Sequence, residues 1–156
     1  MSQAISVNDA PGCVDDSPGP LQSVPPRILM AEDNLINQRV GKLILQRAGF
    51  SIDLAADGVE TLEAHKKQPY DLILMDCQMP VMDGFEASRE IRRLTLPQPA
   101  IVAVTANALV GERERCLNAG MDDYLSKPFQ AEQLVAVVVK WIAIRKDGKN
   151  SVAATA

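Results

Sequence analysis

The chain has 156 residues, 47% of them hydrophobic, and a formal net charge of −4. This composition is typical of a folded globular protein, and the length is sufficient for one domain with a substantial core. The acidic balance gives no electrostatic reason to expect nucleic acid or an anionic membrane surface as a partner.

The first part of the chain differs in composition from the rest. Residues 1–26 contain five of the ten prolines and show no hydrophobic period of 2 or 3.6. This pattern predicts a flexible linker or tail that ends at the pair Pro25 and Pro26. We expect the folded domain over residues 27–144 and a C-terminal tail over residues 145–156.

From residue 27 onward, short apolar runs alternate with longer segments of helical character. The apolar runs predict strands at 27–31, 51–55, 72–75, 100–104 and 123–126. Helices are predicted from Asn34 to about 48, from Gly58 to before Pro69, and over 84–93, 109–119 and 130–144. Such alternation predicts an α/β fold with a parallel sheet and right-handed crossovers.

Polar residues of a distinctive kind end four of the five predicted strands. They are Glu32 with Asp33, Asp76, Thr105 and Lys127. The carboxyl ends of parallel strands meet at one edge of the sheet, where open α/β sheets bind ligands.

The polar residues at these strand ends are of the types that a site for a phosphoryl group requires. Clustered carboxylates repel one another unless a cation lies between them, and hard oxygen ligands suit Mg²⁺. A lysine and a hydroxyl beside such a metal suit phosphoryl oxygens, and a carboxylate can itself form an aspartyl phosphate. Taken singly, Asp76 could cap the next helix, Thr105 could be a strand residue and Lys127 a surface charge. Their occurrence at successive strand ends favours a common site.

On these residues the chain resembles response-regulator receiver domains. The matching segments are Ala-Glu-Asp-Asn at 31–34, Asp76 with Met-Pro-Val-Met-Asp-Gly at 79–84, Val-Thr-Ala at 104–106 and Lys-Pro-Phe at 127–129. The resemblance covers about residues 27–144. Segments 34–40, 76–80 and 120–125 are most similar to receivers attached to hybrid sensor histidine kinases.

The resemblance implies a flavodoxin-like, doubly wound (βα)5 fold with strand order 2-1-3-4-5. It implies that Asp76 accepts a phosphoryl group from the phosphohistidine of a histidine kinase or a histidine phosphotransfer domain, without a separate enzyme and with slow autodephosphorylation. Asp33, Asp76 and the Gln78 backbone carbonyl would bind Mg²⁺, with Glu32 organising the site.

The resemblance also implies a conformational switch. Thr105 and Lys127 would contact the phosphoryl oxygens, and Tyr124 stands at the position of the family's aromatic switch. The surface that changes would comprise the helix after Thr105, the fifth strand and the last helix. The bond between Lys127 and Pro128 is expected to be a cis peptide.

The first helix carries more apolar surface than a sheet can cover. Ile36, Val40 and Leu43 form one stripe beside a second stripe of Gly41, Ile44, Leu45 and Ala48. Together the stripes cover roughly 200° of the helix. Either the extra residues pack under the last helix, or they form a docking patch that Pro128 reaches from the other side. The receiver domains that this chain resembles bind helical-bundle histidine phosphotransfer domains at that position.

Three other functions stay open. A receiver-shaped interaction module would give its output without phosphate. A Mg²⁺-dependent phosphatase with an aspartyl nucleophile would require a second acid two residues later, where Gln78 stands. A flavin-binding domain of the same topology would require phosphate-binding hydroxyls and aromatic residues in the loops, which are not seen.

The remaining notable residues suggest structural roles. His65, the only histidine, is predicted to be a solvated surface residue, and Trp141 to be core or partial interface. Cys13, Cys77 and Cys116 form no metal or redox motif, and Cys77 is expected to pack. Free thiols, the absence of a visible secretory signal and the lack of a membrane-length apolar run predict a cytoplasmic segment that does not insert into a membrane.

Overall fold

Five short strands form one parallel sheet in the computed structural model, which describes residues 25–107 and 109–155, with side chains described as far as residue 146. The strands are β1 Ile28–Ala31, β2 Ile52–Ala55, β3 Leu72–Asp76, β4 Ala100–Thr105 and β5 Asp123–Ser126. Their order in the sheet is β2-β1-β3-β4-β5, as predicted, and every neighbouring pair is parallel. Most of the predicted linker and Cys13 lie outside the described residues.

Five helices connect and follow the strands. They are α1 Leu35–Arg47, α2 Gly58–Lys67, α3 Gly84–Arg93, α4 Glu112–Asn118 and α5 Ala131–Thr155. Helix α1 begins where predicted because the Asn34 side chain accepts the backbone N–H groups of Ile36 and Asn37. No helix in the part of the chain that the structure describes has both the length and the hydropathy needed to cross a membrane.

The side chains of the sheet alternate between two apolar layers. On β3, Leu72 and Leu74 join the layer beneath α1 and α5, whereas Ile73 and Met75 join the layer beneath the other three helices. Because β3 is covered on both sides, its sequence is an unbroken apolar run. Asp76 therefore stands at the end of a fully buried strand.

A glycine allows α3 to approach the end of β3. A Cβ atom on Gly84 would collide with the backbone oxygen of Asp76 and with the side chain of Met75. The backbone N–H of Gly84 also donates to the carbonyl of Cys77 at 3.1 Å. These contacts hold the turn after β3 close to the sheet and so position Asp76.

Two helix boundaries differ from the predicted ones. Helix α4 begins at Glu112 and not at Leu109, because Gly111 at its N-cap adopts a φ of 94°, a left-handed conformation outside the helix. Helix α5 continues to Thr155, where the sequence predicted a helix ending at residue 144 followed by a tail. Gly148 lies within this longer helix. A single glycine costs a helix only about 1 kcal/mol, which neighbouring residues of good helix propensity can offset.

The prediction that His65 is a solvated surface residue is wrong, since its side chain is 0% exposed. It lies on the buried face of α2 with Gly58 and Thr61, three and four residues apart. Its Nδ1 accepts the backbone N–H of Tyr70 at 3.1 Å, and its Nε2 lies 3.1 Å from the carbonyl of Pro97. This pairing requires a neutral ring with the proton on Nε2, because Nδ1 is an acceptor.

His65 should make the stability of the fold depend on pH. Burial lowers its pKa below the ordinary value of 6.5. Between the two pKa values, His65 therefore binds a proton in the unfolded chain but not in the folded chain. The stabilisation from neutral His65 is therefore present above about pH 6.5 and is lost as the pH falls through the folded pKa. Replacing His65→Ala should cost about 2–4 kcal/mol at pH 7.5 through a cavity and two lost hydrogen bonds.

Urea unfolding at pH 7.5 and pH 5.5 measures both effects. We expect the free energy of unfolding to fall less between these two pH values in His65→Ala than in the unsubstituted chain. Equal losses in the two proteins would show that His65 does not carry this pH dependence.

Candidate functional site

The carboxyl edge of the sheet brings together the polar residues that the sequence singled out. Asp76 is the last residue of β3 and pairs in register with Val104, one residue before Thr105. Thr105 in turn pairs with Ser126, immediately before Lys127. The strand ends are thus adjacent because the strands are parallel and in register.

Three carboxyl groups converge at this edge. Carboxylate oxygens of Glu32, Asp33 and Asp76 all lie within 4.8 Å of one another. Glu32 is 3% exposed and Asp76 is 6% exposed, whereas Asp33 faces solvent. This arrangement is an oxygen-rich cluster with one open side, which is suited to a hard divalent cation.

Lys127 partly balances these charges. Its Nζ lies 3.0 Å from Glu32 Oε1 and 3.4 Å from Asp76 Oδ2. Burial works against its charge, but the hydrogen bond to Glu32 and the negative charge of Asp76 raise the pKa of the lysine above its ordinary value. Lys127 therefore stays a cation and bridges β1 to β3.

The pKa of Asp76 reflects the negative charge that Lys127 leaves unbalanced. Burial raises the pKa of its carboxyl to about 6, and the Glu32 carboxylate adds to the increase. The backbone N–H of Gln78, 3.1 Å from Asp76 Oδ1, opposes it together with Lys127. For Glu32, the contacts with Lys127 and the Asn34 N–H outweigh burial and lower the pKa. A cation between the acids would restore the ionised form of Asp76.

The loop after β3 is held by backbone bonds at both ends. The N–H of Cys77 donates to the Val104 carbonyl at 3.1 Å, and Gln78 is exposed beside Asp76. A cavity of about 520 Å³ opens here, lined by residues that include Asp33, Gln78 and Pro80. Of the three clustered acids, Asp33 lines this cavity. The predicted role of the Gln78 carbonyl as a metal ligand stays a prediction.

Thr105 and Tyr124 lie near the site without contacting Asp76. The Thr105 hydroxyl lies 3.2 Å from Glu112 Oε2 and 3.3 Å from the Asn107 carbonyl, and it accepts the Asn107 N–H at 3.0 Å. Tyr124 is half-buried against the apolar layer beneath α2, α3 and α4. In this structure the Thr105 hydroxyl is therefore engaged with Glu112 and Asn107, and the switching roles of Thr105 and Tyr124 stay predictions.

The peptide between Lys127 and Pro128 is cis, as predicted. The backbone N–H of Lys127 donates to the Thr105 carbonyl at 2.7 Å, which continues the pairing of β4 and β5 to the site. Pro128 is exposed at the rim and Phe129 is half-buried behind it.

The apolar surface of α1 divides into two parts. Ile44 and Leu45 pack in the layer that α1 shares with α5. Ile36, Val40 and Leu43 stay exposed, with 48% of Val40 accessible. Packing under the last helix therefore does not account for these three residues. A cavity of about 520 Å³ connects Val40 to Pro128 and Phe129, and Lys127 and Glu32 also line it.

Sequence reasoning missed two buried polar residues of the site. Gln38 donates its side-chain amide to the Glu32 carbonyl at 2.6 Å, and Glu112 accepts the Thr105 hydroxyl. Neither stands at a strand end, so no sequence signal distinguished them from surface residues. Glu112 also forms a buried cluster with Cys77 and Cys116, whose thiols are free. Burial raises the pKa of both thiols, in keeping with the packing role predicted for Cys77.

The sequence of the chain matches a known family and its curated members. Residues 28–139 match the model of the response regulator receiver domain. The chain is 41% identical over 126 residues to hybrid signal transduction histidine kinase B of Dictyostelium discoideum, a match that covers 73% of this chain and 6% of that protein. It is 40% identical over 135 residues to sensor histidine kinase GacS of Pseudomonas protegens, which covers 82% of this chain and 15% of that protein. The chain thus spans a small part of these relatives.

Solved structures of similar fold include two that are informative about the site. One is the receiver domain of a sensor histidine kinase from Pseudomonas aeruginosa PAO1, with a magnesium ion coordinated in its active site cleft. It is 45% identical, has a TM-score of 0.71, and the match covers 77% of this chain and 99% of that chain.

The other is the receiver domain of a response regulator from Saccharomyces cerevisiae, in a co-crystal with its histidine phosphotransfer signaling protein. It is 32% identical, with a TM-score of 0.69, and the match covers 76% of this chain and 91% of that chain. The matched family model, the identities to hybrid kinases and the agreement in fold all lead to one conclusion. The chain belongs to the response regulator receiver domains of two-component phosphorelay signalling.

Proposed function

We propose that Asp76 is the phosphoacceptor, which receives a phosphoryl group from a phosphohistidine on a histidine kinase or a histidine phosphotransfer domain. The observation that carries this proposal is the position of Asp76, buried at the end of β3 between Lys127 and two further acids. The reaction is a group transfer without a separate enzyme. An Asp76 oxygen attacks phosphorus as the P–N bond breaks, and the electron pair of that bond stays on the imidazole nitrogen.

Lys127 serves the transfer as a fixed cation. Its contacts with Glu32 and Asp76 place the ammonium group beside the attacking carboxylate before any phosphoryl group arrives. After transfer the same group is within reach of the phosphoryl oxygens, where it stabilises their negative charge without rearranging. Thr105 would supply a hydroxyl to another phosphoryl oxygen, and slow hydrolysis of the acyl phosphate would return the domain to its starting state.

The acidic cluster fits Mg²⁺. Three carboxyl groups meet here and one ammonium group contacts two of them, which leaves a deficit of positive charge on the side where Asp33 is exposed. Asp33, Asp76 and the backbone carbonyl of Gln78 would hold the ion, and Glu32 would organise the site. When bound, Mg²⁺ neutralises charge that develops on the phosphoryl oxygens.

The exposed apolar residues of α1 are proposed to dock the phosphodonor. Val40 and Pro128 line the cavity that contains Lys127, and Ile36 is exposed one turn before Val40, so a helix lying on these residues would cover the site. Such a cover would exclude water during transfer. The phosphotransfer protein in the yeast co-crystal is a partner of the appropriate class.

The proposal includes a surface that responds to phosphorylation and a cellular location for the domain. Phosphorylation would draw the Thr105 hydroxyl toward Asp76 and change the position of Tyr124, which shifts the surface of α4, β5 and α5. We place the domain over residues 27–144 in the cytoplasm, or on the cytoplasmic face of a hybrid kinase. The match over residues 28–139 and the free thiols support this placement.

Labelling with acetyl phosphate tests the acceptor. With Mg²⁺ present, the intact mass of the chain should increase by one phosphoryl group that is lost in base, because acyl phosphates hydrolyse readily. Asp76→Asn should abolish the adduct. Asp57→Asn is the matched control, since Asp57 stands on the same sheet edge as an N-cap of α2 and asparagine caps equally well. Absence of an adduct on the unsubstituted chain would favour the phosphate-independent module, and rapid hydrolysis of many phosphate esters would favour the phosphatase.

Loss of one acid should weaken the metal site. We expect Asp33→Asn to reduce Mg²⁺ affinity, measured by calorimetry, by about tenfold or more, because a carboxylate ligand is worth more to a hard cation than an amide. Glu63→Gln is the control for net charge, since Glu63 is an exposed member of a surface pair with Lys66. Equal Mg²⁺ affinity in Asp33→Asn and the unsubstituted chain, or full labelling in excess chelator, would contradict the assigned ligands.

A charge on α1 should separate docking from chemistry. Val40→Glu should slow transfer from a phosphorylated phosphotransfer protein by about tenfold or more, since a carboxylate in an apolar interface is desolvated without a partner. Labelling by acetyl phosphate, which needs no docking, should change little. Val139→Glu is the matched control, because this valine on α5 is 49% exposed and lies outside the cavity beside Lys127. Equal loss of both reactions in Val40→Glu would mean that the substitution damages the fold.

A further inference from the structure

The Thr105 hydroxyl has one proton and two competing acceptors. Glu112 Oε2 lies at 3.2 Å and the Asn107 carbonyl at 3.3 Å. Glu112 lies on the first turn of α4, so the hydrogen bond to it directs the hydroxyl toward the start of that helix. The Asn107 N–H donates to the same oxygen at 3.0 Å and restricts its rotation further.

Glu112 has few other partners. It is 7% exposed, and its Oε1 lies 4.0 Å from Arg115 Nη1, beyond hydrogen-bond distance. The Arg115 guanidinium lies over the Phe85 ring, 4.1 Å from its centroid, so its position is determined by the ring as well as by the acid. Among the described residues, Thr105 is the one whose hydrogen bond to the Glu112 side chain the structure records. Loss of this bond leaves a buried carboxylate beside two thiols, which are weak donors.

The helix that carries Glu112 is short and weakly capped. Helix α4 has seven residues, and Gly111 at its N-cap makes no side-chain hydrogen bond to it. Isolated helices of this length are marginal, so contacts made by individual side chains decide where the first turn lies. The bond from Thr105 to Glu112 thus connects the end of β4 directly to the first turn of α4.

We propose that Glu112 is a positioning residue that holds the Thr105 hydroxyl away from Asp76 and so favours the unphosphorylated conformation. The inference rests on the proposed function of Asp76. For Thr105 to donate to a phosphoryl oxygen, it must give up its bond to Glu112, because the hydroxyl has one proton to donate. Phosphorylation then releases the first turn of α4, and Glu112 determines how much free energy this release costs.

A double-mutant cycle with a phosphoryl analogue tests the inference. The probe is beryllofluoride with Mg²⁺, which occupies the aspartyl site without covalent turnover, and its affinity is measured by calorimetry. Glu112→Gln should bind it about fivefold more tightly or better, because a neutral amide oxygen is a weaker acceptor for the hydroxyl. In a Thr105→Val background the same substitution should change the affinity less than twofold.

Glu114→Gln is the matched control for charge. Glu114 lies on the same helix and is exposed, so its removal takes away the same charge without touching Thr105. If Glu112→Gln tightens binding equally with and without the Thr105 hydroxyl, the effect is one of charge alone and the inference is overturned. If Glu112→Gln does not bind the probe more tightly than the unsubstituted chain, the inference is also overturned. Failure of the unsubstituted chain to bind the probe would overturn the proposed function itself.

Amide shifts supply a second measurement that a merely structural role would not reproduce. In the absence of probe, the Asn107 amide of Glu112→Gln should move part of the way toward its position in the probe-bound, unsubstituted chain. Should Glu112→Gln fold poorly, Glu112→Asp serves instead, since the shorter side chain keeps the charge and withdraws the carboxylate from Thr105. An Asn107 shift that does not lie on the line between the two states would contradict a change in population.

Discussion

Repulsion among carboxylates at one edge of a buried sheet is the constraint on which the site depends. Glu32, Asp33 and Asp76 converge there, and the ammonium group of Lys127 contacts two of them. The burial that raises the pKa of Asp76 also strengthens every charge interaction around it. The same surroundings thus make a cation favourable and make a dianionic phosphoryl group, once paired with that cation and with Lys127, an acceptable occupant. The chemistry follows from an electrostatic imbalance that the core maintains.

The core maintains this imbalance of charge because Asp76 and Glu32 are buried at the ends of two strands that are themselves fully buried. β3 is covered on both faces, and Gly84 lets α3 contact the backbone that carries Asp76. Lys127 comes from the opposite end of the sequence, and the pairing of β4 with β5 carries it to the same edge. An ion pair between residues so distant in sequence ties the chain ends of the fold to the site.

Two surfaces extend from this edge in different directions. On the side of the sheet that α1 and α5 cover, Val40 of α1 and Pro128 line one cavity together with Lys127. Thr105 and Glu112 connect the same edge to α4 on the opposite side. The proposed docking surface and the proposed response surface therefore lie on different sides of the sheet. Thr105, whose hydroxyl bonds to Glu112 on the first turn of α4, connects this edge of the sheet to that helix.

The sequence by itself determined the strands, the helix order and the converging residues. Buried parallel strands are unbroken apolar runs, and their polar ends must meet once the strands are parallel, whereas the order of the strands in the sheet followed only from the resemblance to receiver domains. Tertiary structure decided what depends on neighbours distant in the chain. His65 stands among polar residues of α2, yet it is buried because Tyr70 and Pro97 supply its hydrogen-bond partners. Glutamate in a short helix is usually exposed. Glu112 is instead buried and bonded to Thr105, because α4 lies against the end of β4. A local pattern records which face of an element is apolar, but a buried polar group depends on partners that only the folded chain brings within hydrogen-bond distance.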